Sequence, residues 1–528
     1  MKNKFNGILI NSFNFILLLF LIIGFGLSFK FISLNFYNQH MDTAGMADLI
    51  NNIANSNNPV SSLWSSARPF LVIWQNIDFI CQDKFRLLEN FDYNLLKNHS
   101  WYNAYLLSIP VKIGLNAKFL VILLINITYF FSFTLIFIYL YKKKINPFIS
   151  FFFLIFLMAN PLVSESLYGQ MYFSKLFIFP CLLFLFIYNN NKFYNIYLVS
   201  FFIIILSLFH ERASLFIGLY LIFDIFFKIL KNKTFSKHQR IIFLLAIYCL
   251  FIFFKTIYFT ESPHKGASLQ IFHNISLLMN DFDYQLKVIK IFVVLFPYLF
   301  FCIFAGKFFL LILLFLLPNI LMNIGGSEKL GWSVHYYSYI MPFIFYFSLK
   351  GFIVFKQLIS QKFRYLIHFI LFVFVIHSFT IEPYDHNNLI NYKNIKKNRI
   401  TQNYVRLINN NSYEDLKKKI NHRKTFFSVI PEGVSISMRE NHSTYFSAKN
   451  YNKISFFPIW IGMSDYVIVD MVFDNNKFEI YLDALLPPKN ELFKARNCIN
   501  SYLSNNYEEI DTLDTSSQTK TIIFKKIN

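Results

Sequence analysis

Charge is scarce in this chain. Asp, Glu, Lys and Arg make up 15% of its 528 residues while 55% are hydrophobic, against about 25% charged in soluble globular domains. So little charge cannot cover a soluble protein of this size, and the composition reads as a polytopic membrane protein. Cysteine is scarce too. Cys81, Cys181, Cys249, Cys302 and Cys498 show no C-x-x-C spacing and three of them lie in apolar runs, which indicates neither a zinc site nor a disulfide framework. Glycine accounts for only 15 residues, and Gly24-Phe25-Gly26 sits inside an apolar run, so no Gly-rich phosphate loop is present. No internal repeat is found. Acidic residues are outnumbered, 29 against 50 Lys and Arg, a formal +21. In a membrane chain such an excess reflects loops retained in the cytoplasm, and nucleic acid is not an expected partner. The 70 Phe residues belong to the set that A/T-rich codons favour and carry no functional weight.

What is abundant is long apolar sequence. A spanning helix needs about 20 mostly apolar residues, and eleven stretches before residue 382 qualify, beginning near residues 8, 117, 147, 171, 193, 213, 240, 287, 307, 335 and 364. The first follows Met-Lys-Asn-Lys and runs from Gly7 into Phe36 without a small-residue cleavage site. It reads as a retained signal-anchor with a cytoplasmic N-terminus. Parity then places Lys142-Lys143-Lys144, Lys228 to Arg240, and Lys350 to Arg364 on the cytoplasmic side, as the bias of short loops toward Lys and Arg requires. The expected fold is mainly α: a polytopic membrane helix bundle over residues 1–382, with a long outer loop at 37–115, and a small extracytoplasmic α/β domain over 383–528. In that tail, strands are expected at Thr425–Ile430, Val434–Met438, Tyr466–Met471 and Thr521–Phe524, and helices at 413–420 and 489–503.

Ionisable residues near the outer boundary are the candidate chemistry. Asp42, in Met41-Asp42-Thr43-Ala44-Gly45-Met46, follows the first span. A carboxylate there can hold a divalent cation or accept a proton from an attacking hydroxyl; the commoner use is to cap a helix beginning at Thr43. His99, in Lys97-Asn98-His99-Ser100, titrates near neutral pH and suits a proton shuttle, a ligand or a hydrogen-bonded anchor. Arg68 offers a planar fork to a phosphate, or is a solvated loop arginine. Phe209-His210-Glu211-Arg212 puts three ionisable residues between two apolar runs, and such groups are functional hypotheses by default; the plain alternative is a polar turn between two spans. Gly325-Gly326 precedes His335-Tyr336-Tyr337, where glycines allow close backbone approach to a ligand and His335 and Tyr336 offer donors, or else form a turn and an interfacial aromatic belt.

The order of these elements resembles a family of prokaryotic membrane proteins known as domain of unknown function 2079. The resemblance rests on the Asp42 motif, Asn98-His99, Glu211, Pro318-Asn319, His335-Tyr336, and in the tail Ile430-Pro431-Glu432-Gly433-Val434-Ser435 and Asp465-Tyr466-Val467-Ile468-Val469-Asp470. That family in turn resembles the GT-C glycosyltransferases. The resemblance implies a bacterial inner-membrane protein that transfers a sugar from a polyprenyl phosphate at the outer face. Asp42, His99 and Glu211 would be catalytic, and Arg68, His210, Arg212, His335 and Tyr336 would bind substrate. Asp42 would also be the ligand of a Mg or Mn ion. A transporter or flippase for a lipid-linked precursor is the competing expectation, because Pro161, Pro180, Pro297, Pro318 and Pro342 break spans.

Overall fold

In the computed structural model, residues 41–64, 102–168, 172–190, 194–232, 235–259, 267–321, 337–359, 363–381, 410–446, 453–458, 461–474, 477–482 and 489–527 are described, with 15–30 and 390–405 described in part. In chain order the helices are α1 (Leu21–Lys30), α2 (Met41–Ser56), α3 (Asn103–Lys112), α4 (Ala117–Lys142), α5 (Pro147–Ala159), α6 (Pro161–Tyr168), α7 (Ile178–Tyr188), α8 (Ile196–Ser207) and α9 (Glu211–Asn232). They continue with α10 (Lys237–Phe259), α11 (Ala267–Asn280), α12 (Phe282–Ile303), α13 (Phe308–Leu321), α14 (Met341–Leu358), α15 (Arg364–Thr380), α16 (Asn410–Phe427), α17 (Ser443–Phe446) and α18 (Lys489–Asn506). Four of them, α4, α9, α10 and α12, are long and apolar enough to cross a membrane. Each of the eleven apolar stretches carries a described helix. The chain forms two compact units, one of residues 1–32, 97–103 and 122–410 and the other of 33–96, 104–121 and 411–528.

The described elements of the first unit are helices, apart from one isolated bridge between Ile381 and Ile390, and its construction shows how a membrane bundle tolerates a break. Pro161 has no N–H and its ring clashes with the preceding turn, so α5 stops at Ala159 and the chain turns through Asn160 before α6 begins. Side chains bond to the carbonyls at this end of α5: Tyr298 OH donates to Leu157 O (2.9 Å), which loses its partner to Pro161, and Asn398 Nδ2 to Ala159 O (2.8 Å), while Ser378 Oγ adds a bond to Phe156 O (3.3 Å), which also accepts the Asn160 N–H. Asn160 itself accepts from the Leu162 N–H (3.0 Å) and donates to Val294 O (2.9 Å). Deep in hydrocarbon such compensation is obligatory. Elsewhere small residues set the spacing. A Cβ on Gly351 of α14 would sit 1.8 Å from the Phe301 carbonyl of α12, a close approach of the small-residue kind that packs helices in membranes.

The second unit is an α/β/α sandwich. Its strands are β1 (Ser435–Met438), β2 (Lys453–Phe456), β3 (Tyr466–Asp474), β4 (Lys477–Ile480), β5 (Tyr507–Ser516) and β6 (Thr519–Lys526). The sheet order is β2-β1-β3-β6-β5 with β4 also on β3; β1 runs parallel to β2 and β3, and the other pairs are antiparallel. Alternation along β3 sends Tyr466 and Ile468 to one face and Val467 and Val469 to the other. The second face packs on Ala495, Ile499 and Leu503 of α18. The first packs on Ile420, Phe426 and Phe427 of α16, and also on Ala44 and Leu63 from the segment that follows the first apolar run. Thr425–Ile430 is therefore not a strand. Leu416, Ile420 and Phe427 line up at helical spacing, so α16 runs on to Phe427 and buries its end in the same core.

Specific contacts make residues 41–64 part of this unit. Trp64 lies so close to Gly45 that a Cβ there would be 2.6 Å from its indole, and the Ile454 N–H of β2 donates to Ser62 Oγ (3.1 Å). Asp48 is buried beneath them and accepts from Ser61 Oγ (2.7 Å). Burial pushes its carboxyl up to about 6, against the pull of hydrogen bonds from Ser61, Leu63 and Ser62. The two tail motifs meet as well: Asp465 accepts from the Ser435 N–H (2.8 Å) and hydroxyl (2.7 Å). Asp470 takes bonds from His442 Nε2 (2.8 Å), Thr521 Oγ1 (2.7 Å), Arg439 Nη1 (2.8 Å) and Asn441 Nδ2 (3.2 Å). Burial alone would raise the Asp470 carboxyl, but His442, Thr521 and Arg439 outweigh it and hold the group well below the usual carboxylate range. Cys498 of α18 is disulfide-bonded, whereas Cys181, Cys249 and Cys302 are free and buried. The spacing of the cysteines gave no hint of that bond.

Two expectations follow. Because the Asp48 pKa is higher folded than unfolded, the folded state favours its protonated form. The stability this gives is complete below about pH 4 and declines as pH rises through about 6, by an amount on the order of 3 kcal/mol. Denaturant unfolding at several pH values should show that slope in the native chain and a flat line over the same window in Asp48→Asn; equal slopes would remove Asp48 as its source. The second expectation concerns Cys498. A thiol reagent should leave it unmodified in the native protein and modify it after reduction, as read by mass spectrometry of its peptide, and modification without reductant would mean that the bond does not form in the cell.

Candidate functional site

The buried ionisable cluster of the first unit lies where α8 gives way to α9. Leu208 closes α8, and after the two-residue link Phe209-His210 the helix α9 begins at Glu211. His210 Nδ1 accepts the backbone N–H of Arg212 (3.1 Å), which satisfies one of the orphan donors at the start of α9. A ring nitrogen that accepts an N–H carries no proton, so the proton of the neutral imidazole sits on Nε2. That nitrogen lies 3.3 Å from Glu211 Oε1, within ion-pair distance. Ser214 Oγ clasps the turn from behind by donating to Ser207 O (2.6 Å) and more weakly to His210 O (3.3 Å). The imidazole is stacked on Tyr339, with ring centroids 4.9 Å apart, and Phe177 touches both Phe209 and Tyr339.

All three charged or titratable side chains are out of solvent: His210 is 3% exposed, Glu211 0% and Arg212 6%. A fourth, Lys175, is also buried, on the 3-10 helix Phe173–Phe177 that carries Phe177. A bundle that encloses a carboxylate, an imidazole, a guanidinium and an ammonium bears a large desolvation cost. Such a group has the chemistry to orient a polar ligand, accept its proton at Glu211 and pair its anion with Arg212. Lys175 and Tyr339 were absent from the sequence-based candidates. Lys175 could have been noticed as the one basic residue in the apolar run 172–188; nothing in the sequence marks Tyr339 as the ring on which His210 stacks.

A second charged cluster occupies α9 at Asp224, 13 residues further along the helix and hence about 20 Å away at 1.5 Å per residue. Asp224 lies 2.6 Å from Lys228 Nζ and 3.6 Å from Lys307 Nζ, and accepts the Tyr188 hydroxyl (2.8 Å). Lys228 lies over the Tyr188 ring and Lys307 over Phe227 and Phe308. In the sequence Asp224 stands alone, whereas the fold neutralises it with lysines from two elements.

Asp42 falls in the first turn of α2, which begins one residue earlier, at Met41, rather than at Thr43. Arg68, His99, His335 and Tyr336 lie outside the described residues, as does the side chain of Asp42. Of the expected site, the structure thus brings together His210, Glu211 and Arg212. Among the described residues no three His, Cys, Asp or Glu side chains gather as a metal site would need, and no step is derived through a cation.

A family model described as Predicted membrane protein (DUF2079) matches residues 72–484, more than half of the chain. The chain belongs to the DUF2079 family. The matched span contains the His210–Arg212 cluster and both tail motifs, and begins after Asp42 and Arg68. No curated protein and no solved structure matches the chain.

The His210–Glu211 contact can be tested directly. Glu211→Gln keeps an acceptor for the Nε2–H and should unfold in detergent within a few degrees of the native chain. Glu211→Leu removes that acceptor inside the bundle and should cost about 1–3 kcal/mol. Equal thermal stability of the two variants would show that this contact does not hold the α8–α9 link.

Proposed function

We propose that this DUF2079 protein is a membrane-embedded glycosyltransferase-like enzyme of GT-C type that works at the outer face of the bacterial inner membrane, with a polyprenyl-phosphate sugar as donor. The observation that carries the proposal is the distribution of charge along α9. The Asp224 end is surrounded by Lys228, Lys231 and Lys307, the basic signature of a cytoplasmic boundary. The His210–Glu211–Arg212 end then belongs to the opposite rim, where the phosphate of a lipid-linked donor must be met.

An eleven-span topology accords with this arrangement. Four long helices, six shorter apolar ones and α14 would supply its eleven crossings. The ten from α4 onward, with α5 and α6 as one broken span, return the chain to the side from which it left. That even count agrees with a second unit built from residues on both sides of the bundle, and the Cys498 disulfide suits the non-cytoplasmic side.

In the reaction the bond from the anomeric carbon to the phosphate oxygen breaks, a bond from that carbon to the acceptor oxygen forms, and polyprenyl phosphate departs. The acceptor's proton passes to a carboxylate, for which Asp42 and Glu211 are the candidates, with His99 as a shuttle. Arg68, Arg212 and His210 would face the phosphate, and His335 and Tyr336 the sugar. A Mg or Mn ion held by Asp42 together with phosphate oxygens would supply charge neutralisation.

The break at Asn160-Pro161 favours a second reading, a transporter or flippase, since discontinuous helices line transport sites. Against it, the carbonyls of Leu157 and Ala159 at the break are already bonded to Tyr298 and Asn398, and Asp224 is already paired.

The deciding experiment profiles envelope glycans after deletion of the gene. Loss of one glycan species should be restored by the native chain and not by Asp42→Asn or Glu211→Gln expressed at the same level. An unchanged glycan set would sink the transferase reading, and accumulation of the untransferred lipid-linked donor on the cytoplasmic side alone would favour the flippase.

A further inference from the structure

Two features of the second unit lie beside the start of a membrane-length helix. The first is α16. Its inner stripe, Leu416, Ile420 and Phe427, is sunk in the core, and its outward surface carries exposed Lys417, Lys418, Lys419 and Lys424. The helix holds five Lys and Arg against two acidic residues. Lys417 and Lys424, two turns apart, share one flank. Lys424 is within Coulombic reach of Lys118, the second residue of α4, and α4 is a candidate membrane span. Lys424 therefore lies near the N-terminal end of that candidate span.

The second feature is α3, which ends four residues before α4 begins. Tyr105, Leu106 and Ile109 fall within about 100° of one another around its axis, Ile113 follows in the turn just past it, and all are exposed, Leu106 at 60%, Ile109 at 57% and Ile113 at 80%. Its polar end is tied back to the unit by Lys112, whose Nζ donates to Asn57 Oδ1 (2.8 Å). A short helix with one bare apolar stripe, beside a span and beside a lysine-rich flank, has the composition of an element lying in the membrane interface.

We propose that the second unit rests on the bilayer through this surface, with the α3 stripe immersed at the acyl boundary and Lys417 and Lys424 of α16 on the phosphates of anionic lipids. The occupant is the bilayer the chain already spans. Charge complementarity selects anionic headgroups, and the tether through α4 holds the surface against them at high effective concentration. This inference does not depend on the transferase reading.

A cysteine at Asn421, an exposed position between Lys417 and Lys424 on the same flank, reports on the contact. The full chain carrying Asn421→Cys is reconstituted in nanodiscs of phosphatidylcholine alone, or of equal parts phosphatidylcholine and phosphatidylglycerol, and labelled with a charged, membrane-impermeant maleimide. Labelling should be about tenfold slower in the anionic discs. The protection should vanish at high salt and in the K417E/K424E background, whose exposed substitutions leave the unfolding temperature unchanged, and Leu106→Asp should reduce it. Equal labelling in both lipids, or protection that survives K417E/K424E, would overturn the proposal. So would equal protection in phosphatidylcholine discs by soluble heparin, which would reassign the face to a soluble polyanion.

Discussion

A shared apolar core between the start of the chain and its end is the constraint on which the rest of this structure depends. Ala44 and Leu63 lie in the same cluster as Ile436, Met438 and Ile468 of the tail sheet, and Ser62 bonds to β2. Residues 41–64 therefore fold with the tail as one compact unit. The Met41–Met46 motif gains a structural meaning from it as well: Gly45 is small because Trp64 covers it.

Within the bundle, some polar groups repair the fold, as Tyr298 and Asn398 do at the end of α5, and as the lysines around Asp224 do for a buried carboxylate. At the α8–α9 link, one hydrogen bond from Ser214 and one cap from His210 turn the chain, and Glu211 and Arg212 are buried there as well, at a desolvation cost.

Much of the helical architecture was legible in the sequence, since hydropathy and length alone decide where a helix can replace lost water contacts with internal hydrogen bonds. The tail was legible where periodicity was clean, at β1, β3 and β6. It misled at Thr425–Ile430, where β-branched and aromatic residues look like a strand until Leu416, Ile420 and Phe427 are seen to share one helical stripe. β5, with Glu508, Glu509, Asp511 and Asp514 along it, lacks the apolar alternation that would reveal it. Of the site, the His210-Glu211-Arg212 run announced itself because three ionisable residues between apolar runs have nowhere inexpensive to go.

The sequence by itself determined that the chain is a helical membrane protein with a polar tail, because transfer free energy follows composition residue by residue. It also singled out one ionisable run. The pairings were decided only in three dimensions. That Asp224 meets Tyr188 and Lys307, that His210 stacks on Tyr339 and that residues 41–64 complete the tail domain are facts about neighbours far apart in the chain. Local pattern carries no record of which partner will arrive, since the partner is chosen by packing and by the need to satisfy each buried polar group.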